Sequence, residues 1–79
     1  MSAEVLEEVR QTVAEVFALD PASVTAESSA ETVPAWDSMG HLNLILATEQ
    51  RFGVMLDPEQ VPKLTSVQAL ADAVTASKA

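Results

Sequence analysis

The stretch Ala35-Trp36-Asp37-Ser38-Met39-Gly40-His41-Leu42-Asn43-Leu44-Ile45-Leu46 decides how this chain is read. Asp37 is a strong helix N-cap, and apolar residues recur at helical spacing from Met39 onward. The helix so predicted runs to Phe52, where Gly53 supplies the left-handed stop. At about 100° per residue, its apolar residues fall on two faces. Leu44, Ile45, Thr48 and Phe52 form a core sector, while Met39, Leu42 and Leu46 form another, about a quarter-turn from Ser38. A helix with one buried face has no use for the second strip. Either the preceding loop covers it or it is offered to a partner. One hydroxyl, that of Ser38, thus stands at a helix start beside spare apolar surface.

Upstream, Val5, Leu6, Val9, Val13, Val16 and Phe17 repeat at three- and four-residue steps, with Glu4, Glu7, Glu8 and Glu15 between them. This predicts a helix of roughly four turns with one buried stripe. Asp20-Pro21 ends it and can open a short turn of its own. Residues 20–36 then form a long connection, tacked to the core by Val24 and Val33. Loops of that length inside a small domain are usually functional or flexible.

Downstream, Asp57-Pro58-Glu59-Gln60 combines an N-cap, a proline at the first helical position and a capping-box Gln. Pro62 is expected to stop this segment after a single helical turn. Thr65-Ser66-Val67-Gln68 reads as a second capping box, opening a helix with Val67, Leu70, Ala71 and Val74 on one face. Val54-Met55-Leu56 is too short, between helix signals, to predict a strand. The expected fold class is all-α: a small bundle of three main helices plus one short helix, with a long loop between helices one and two. Residues 1–79 are expected to form a single domain.

Composition excludes several functions. The chain has no Cys and one His, so disulfides, thiolate metal sites and His-rich metal sites are out of reach. The net charge of −8 opposes binding to nucleic acid, which requires bases to displace counterions, and favours partners with basic docking surfaces. Residues 1–37 carry eight acids and one base, whereas residues 38–79 carry four acids and three bases, so the acidity lies mostly before Ser38. No apolar run approaches the ~20 residues of a membrane span. The start, Met1-Ser2-Ala3-Glu4-Val5-Leu6, lacks the basic region of a signal peptide, and a cytoplasmic monomer is expected.

Ser38 makes a poor nucleophile of its own active site. His41 follows one helical turn later, but no orienting third group, oxyanion hole or G-x-S-x-G elbow accompanies the pair. No catalytic residue is expected, and the chain is expected not to be an enzyme. Nor is the hydroxyl needed as a cap, because Asp37 already fills that position. A serine so placed is better suited to being modified.

Asp37-Ser38-Met39 resembles the Asp-Ser-Leu signature of acyl carrier proteins, in which the serine bears 4′-phosphopantetheine. Leu42, Leu44, Ala47, Glu49 and Phe52 fall where the family's second helix carries hydrophobic residues, Ala, Glu and Phe. Lys63-Leu64-Thr65-Ser66-Val67-Gln68-Ala69 is similar to the family's Lys-Ile-Thr-Thr-Val start of its last helix, with no gap needed between the two segments. The resemblance covers nearly the whole chain. It implies that Ser38 is the attachment point of a phosphopantetheine taken from coenzyme A by a separate phosphopantetheinyl transferase using Mg²⁺. Asp37 would then serve as N-cap and in transferase recognition. The arm's thiol would carry acyl groups as thioesters, with no Cys in the chain to compete for them. Implied partners are that transferase, an acyl- or aminoacyl-loading ligase or transferase, and downstream synthase or acyltransferase enzymes of fatty-acid, polyketide or related biosynthesis.

Departures from the family pattern set further expectations. Gly40, Asn43 and Gln50 stand where acids are frequent, and Arg51 is basic. Docking is therefore expected to rely on Met39, Leu42 and Leu46, with Trp36 and His41 as further contacts. Two readings remain open for each of the latter: Trp36 as a loop anchor or a partner contact, and His41 as a backbone-bonded, half-buried residue or a contact for the arm. The peptidyl type is disfavoured because its typical Gly-Gly before the Asp/His-Ser is replaced by Ala35-Trp36. A D-alanyl or other aminoacyl carrier is the nearest alternative, and an unmodified helical adaptor is the alternative from another class.

Overall fold

Val9 and Val13, one turn apart on the first helix, are fully buried, and the other two helices pack against this stripe. The structure is a computed structural model and describes residues 3–78. Its helices are α1 (Ala3–Val16), α2 (Ser38–Phe52) and α3 (Val67–Lys78), with 3₁₀ turns at Pro21–Ser23 and Val61–Lys63. No strand occurs among the described residues; Ser29 and Ser66 form an isolated antiparallel bridge. The all-α bundle of three main helices agrees with the sequence, and none of its helices is long and apolar enough to cross a membrane.

The core joins Val9 and Val13 to Leu44 and Ile45 of α2, and to Val67, Leu70, Ala71 and Val74 of α3. Burial of such side chains is worth about 1.5–3 kcal/mol each, the main support for so small a fold. Thr12 and Thr48 are also buried, and their hydroxyls donate to the carbonyls of Glu8 and Leu44, each 2.8 Å away.

The chain leaves α1 before Asp20-Pro21. Ala18 adopts a left-handed φ of 54°, and the Leu19 amide closes back on the Ala14 carbonyl at 2.8 Å. Asp20 instead caps the first 3₁₀ turn, its carboxylate accepting from the Ala22 amide at 2.9 Å. Val24 and Val33 are buried as expected. Arg10 secures the loop more firmly than its sequence position suggests. Its guanidinium donates to the Val24 carbonyl at 2.6 Å and the Pro21 carbonyl at 2.7 Å, and it pairs with Glu7.

Two local expectations shift. Asp57 does cap a turn, accepting from the Glu59 amide at 2.9 Å, but the helical segment is Val61–Lys63 and contains Pro62. Proline is tolerated there because the first positions of a helix need no amide donor. At α3, Ser66 is the cap in place of Thr65: its hydroxyl accepts from the Ala69 amide at 3.1 Å. The Gln68 side chain reaches forward to Asp72 at 3.1 Å.

Candidate functional site

Asp37, with extended backbone, turns the loop into α2 and accepts the Gly40 amide on its carboxylate at 2.8 Å. Its carbonyl takes the His41 amide at 2.7 Å. The cap therefore leaves the amides of Ser38 and Met39 free for another acceptor. Ser38 itself is exposed at the first helical position. Unpaired amides at the positive end of a helix form a natural seat for an anion.

A groove of about 550 Å³ lies beside that hydroxyl, between the start of α2 and the Val61–Lys63 turn. Leu42, Val61 and Pro62 give it apolar walls, and Trp36 and His41 also line it. The expected outer strip is exposed: Met39 by 76%, Leu42 by 59% and Leu46 by 57%. The long loop does not cover it. Met55, exposed by 89%, is a further bare apolar side chain that the helical pattern did not single out.

Trp36 is 3% exposed, an anchor of the loop, with its ring 5.6 Å from that of Phe17. Its indole Nε1–H donates to His41 Nδ1 at 2.9 Å. His41 is half-buried, and its Nε2 lies 2.7 Å from the Val61 carbonyl oxygen, as the backbone-bonded reading requires. Thus the structure brings Trp36, Asp37, Ser38, His41 and Leu42 to one groove, while Met39 and Leu46 are exposed on the same helix.

Gly40 has a cause that the sequence did not disclose. A Cβ there would lie 2.4 Å from the Ala35 carbonyl oxygen and 2.9 Å from Phe17 Cε1. The loop carbonyl and the Phe17 ring, just past the end of α1, both press on the α2 backbone at this point, so the glycine serves internal packing. Arg51 is likewise engaged within the bundle, 3.2 Å from the Glu15 carboxylate and 3.3 Å from Gln11. No group of three or more His, Cys, Asp or Glu able to hold a metal occurs among the described residues.

Comparison with known proteins agrees with this geometry. The phosphopantetheine attachment site family model matches residues 7–74. An acyl carrier protein of Thermosynechococcus vestitus is 41% identical over 70 residues, spanning 87% of this chain and 85% of that one. This chain belongs to the acyl carrier protein family. It is a carrier of covalently bound phosphopantetheine. The solution structure of the holo acyl carrier protein from Geobacter metallireducens superposes with a TM-score of 0.82 at 32% identity, covering 94% of this chain and 85% of that chain. A chain in the structure of the ishigamide ketosynthase/chain length factor superposes with a TM-score of 0.73 at 24% identity, covering 96% of each chain. That second likeness shows the fold alone.

Proposed function

We propose that Ser38 is the attachment point of the 4′-phosphopantetheine and that the chain is a protein substrate and shuttle, not an enzyme. It carries acyl intermediates as thioesters for fatty-acid, polyketide or related biosynthesis. The single observation that supports this most is the exposed Ser38 hydroxyl at a helix start whose cap is already filled by Asp37. The surroundings fit the group: the Ser38 and Met39 amides favour its phosphodiester, and the neighbouring groove offers apolar surface to the arm. Transfer from coenzyme A forms the Oγ–P bond, breaks the diphosphate bridge and releases adenosine 3′,5′-bisphosphate and the hydroxyl proton. Once attached, the group supplies a thiol that takes acyl groups as thioesters.

Asp37 holds the amides of Gly40 and His41 and so fixes where Ser38 stands; it is also offered to the transferase as a recognition carboxylate. Met39, Leu42 and Leu46 form the docking strip for the transferase, the acyl- or aminoacyl-loading enzyme, and the synthase or acyltransferase that follows. In this reading residues 1–79 act as one cytoplasmic carrier domain and a monomer.

Intact-mass measurement after incubation with coenzyme A and a broad-specificity transferase tests the assignment. A phosphopantetheine increment on the wild type and none on Ser38→Ala is expected. No increment on the wild type would favour the unmodified adaptor. Loading with acyl and aminoacyl donors then separates the carrier types. Leu42→Asp is expected to lower turnover by partner enzymes several-fold while leaving helicity by circular dichroism unchanged; equal turnover by both forms would count against the strip.

A further inference from the structure

Trp36, His41 and Val61 fix the position of a proton beside Ser38. An indole N–H can only donate, so His41 Nδ1, 2.9 Å from Trp36 Nε1, must be an acceptor. A carbonyl oxygen can only accept, so His41 Nε2, 2.7 Å from the Val61 oxygen, must carry the hydrogen. One state satisfies both contacts: the neutral imidazole with its proton on Nε2. A proton on Nδ1 would set donor against donor on one side and lone pair against lone pair on the other. A doubly protonated ring would leave the indole with nothing to donate to.

This relay crosses three segments. Trp36 ends the long loop and is held by the core, with the Phe17 ring tilted against it. His41 lies in the first turn of α2, three residues from Ser38. Val61 opens the short 3₁₀ turn that forms the facing wall of the groove. The turn's own hydrogen bonds are local, from the Val61 amide to Asp57, from the Lys63 amide to Gln60 and from the Leu64 amide to Val61. Those bonds shape it, and Val61 and Leu64 pack it on the core, but neither supplies a polar tie to α2. The His41 imidazole spans that gap.

We propose that His41 is a positioning residue: as the Nε2–H imidazole braced by Trp36, it holds the Val61–Lys63 turn in register with Ser38. An enzyme docking at Ser38 then meets one surface made from two elements, Met39 and Leu42 on α2 and Val61 and Pro62 on the turn. The proposal rests on attachment at Ser38. It assigns His41 no contact with the reacting atoms, so its loss should weaken docking and leave the chemical step alone.

Three substitutions divide the relay. His41→Gln can still reach Val61, His41→Asn can accept from Trp36 but is too short for Val61, and His41→Leu makes neither bond. In steady-state phosphopantetheinyl transfer, His41→Leu and His41→Asn should raise the KM for the carrier by at least about threefold, with kcat within about twofold. His41→Gln should recover most of the lost KM. Wild-type KM in all three variants, or a Gln variant no better than Leu, overturns the proposal. Because the Leu variant is open to unfolding, a second measurement uses the wild-type apo protein. Long-range ¹H–¹⁵N correlation of its one imidazole, at mildly alkaline pH, should show the Nε2–H tautomer; an Nδ1–H or averaged pattern overturns the proposal. Failure of the wild type to gain phosphopantetheine would instead strike at Ser38, leaving the tautomer result intact.

Discussion

Two of the helices begin beside a serine, and the fold treats the two starts in opposite ways. At α3, the Val67 and Gln68 amides donate to the Ser28 and Ala26 carbonyls of the loop, and the Ala69 and Leu70 amides donate to Ser66. All four donors of that helix start are taken, and the serine hydroxyl is among the acceptors. At α2, Asp37 takes the Gly40 and His41 amides, and no loop carbonyl closes over the other two. Ser38 is pushed one position inward, exposed and without a capping task. A helix end completed by its own chain is architecture, whereas one completed only in part is open to an anion from outside.

Substituting the two serines in parallel tests this contrast most sharply. Ser66→Ala should accept phosphopantetheine as fully as the wild type, read by intact mass, yet lose about 1 kcal/mol of stability to urea as a cap is removed. Ser38→Ala should do the reverse, losing all modification at little cost in stability. Any modification surviving in Ser38→Ala, or its loss in Ser66→Ala, breaks the contrast.

Gly40→Ala comes next in size. Alanine favours a helix over glycine by about 1 kcal/mol, but the added methyl meets the Ala35 carbonyl and the Phe17 ring. Overpacking typically costs about 1–3 kcal/mol, so a net loss is expected in urea denaturation. A variant as stable as the wild type would show that the loop yields easily, and with it the fixed approach to Ser38.

Asp37 gives the smallest and finest effect. Asp37→Ala should cost about 1 kcal/mol, while Asp37→Ser should retain most of that by capping with its hydroxyl. If the transferase also reads the carboxylate, Asp37→Ser will stay stable but be modified more slowly in a time course. Equal rates for the Ser variant and the wild type would reduce Asp37 to its cap.

Much of this was legible in the residues because it depends on neighbours close in sequence. Asp37 and Gly53 bound α2 as the capping rules predict, with Gly53 at a φ of 65°, and the 3.6-residue period separated buried Leu44 and Ile45 from exposed Leu42 and Leu46. The loop anchors Val24 and Val33 were visible as isolated apolar residues in a polar stretch. What stayed hidden depends on contacts distant along the chain. Gly40 answers to Phe17 just past the end of α1, and α3 is capped by carbonyls from residues 26 and 28. The Asp57 signal was read one turn too early because Pro62 looks like a stop wherever the chain is not yet known to tighten into a 3₁₀ turn.

Arg10 carries a last consequence. As the sole base among residues 1–37, it turns its guanidinium onto two loop carbonyls and Glu7 instead of holding it out in water. Within about a Debye length of its surface, the segment leading to Ser38, with eight acids to this one base, presents a field of largely one sign. Such a field draws in cationic enzymes and speeds their encounter, while two copies of the carrier repel each other. Crowded carriers would thus stay dispersed, each with its swinging arm unobstructed.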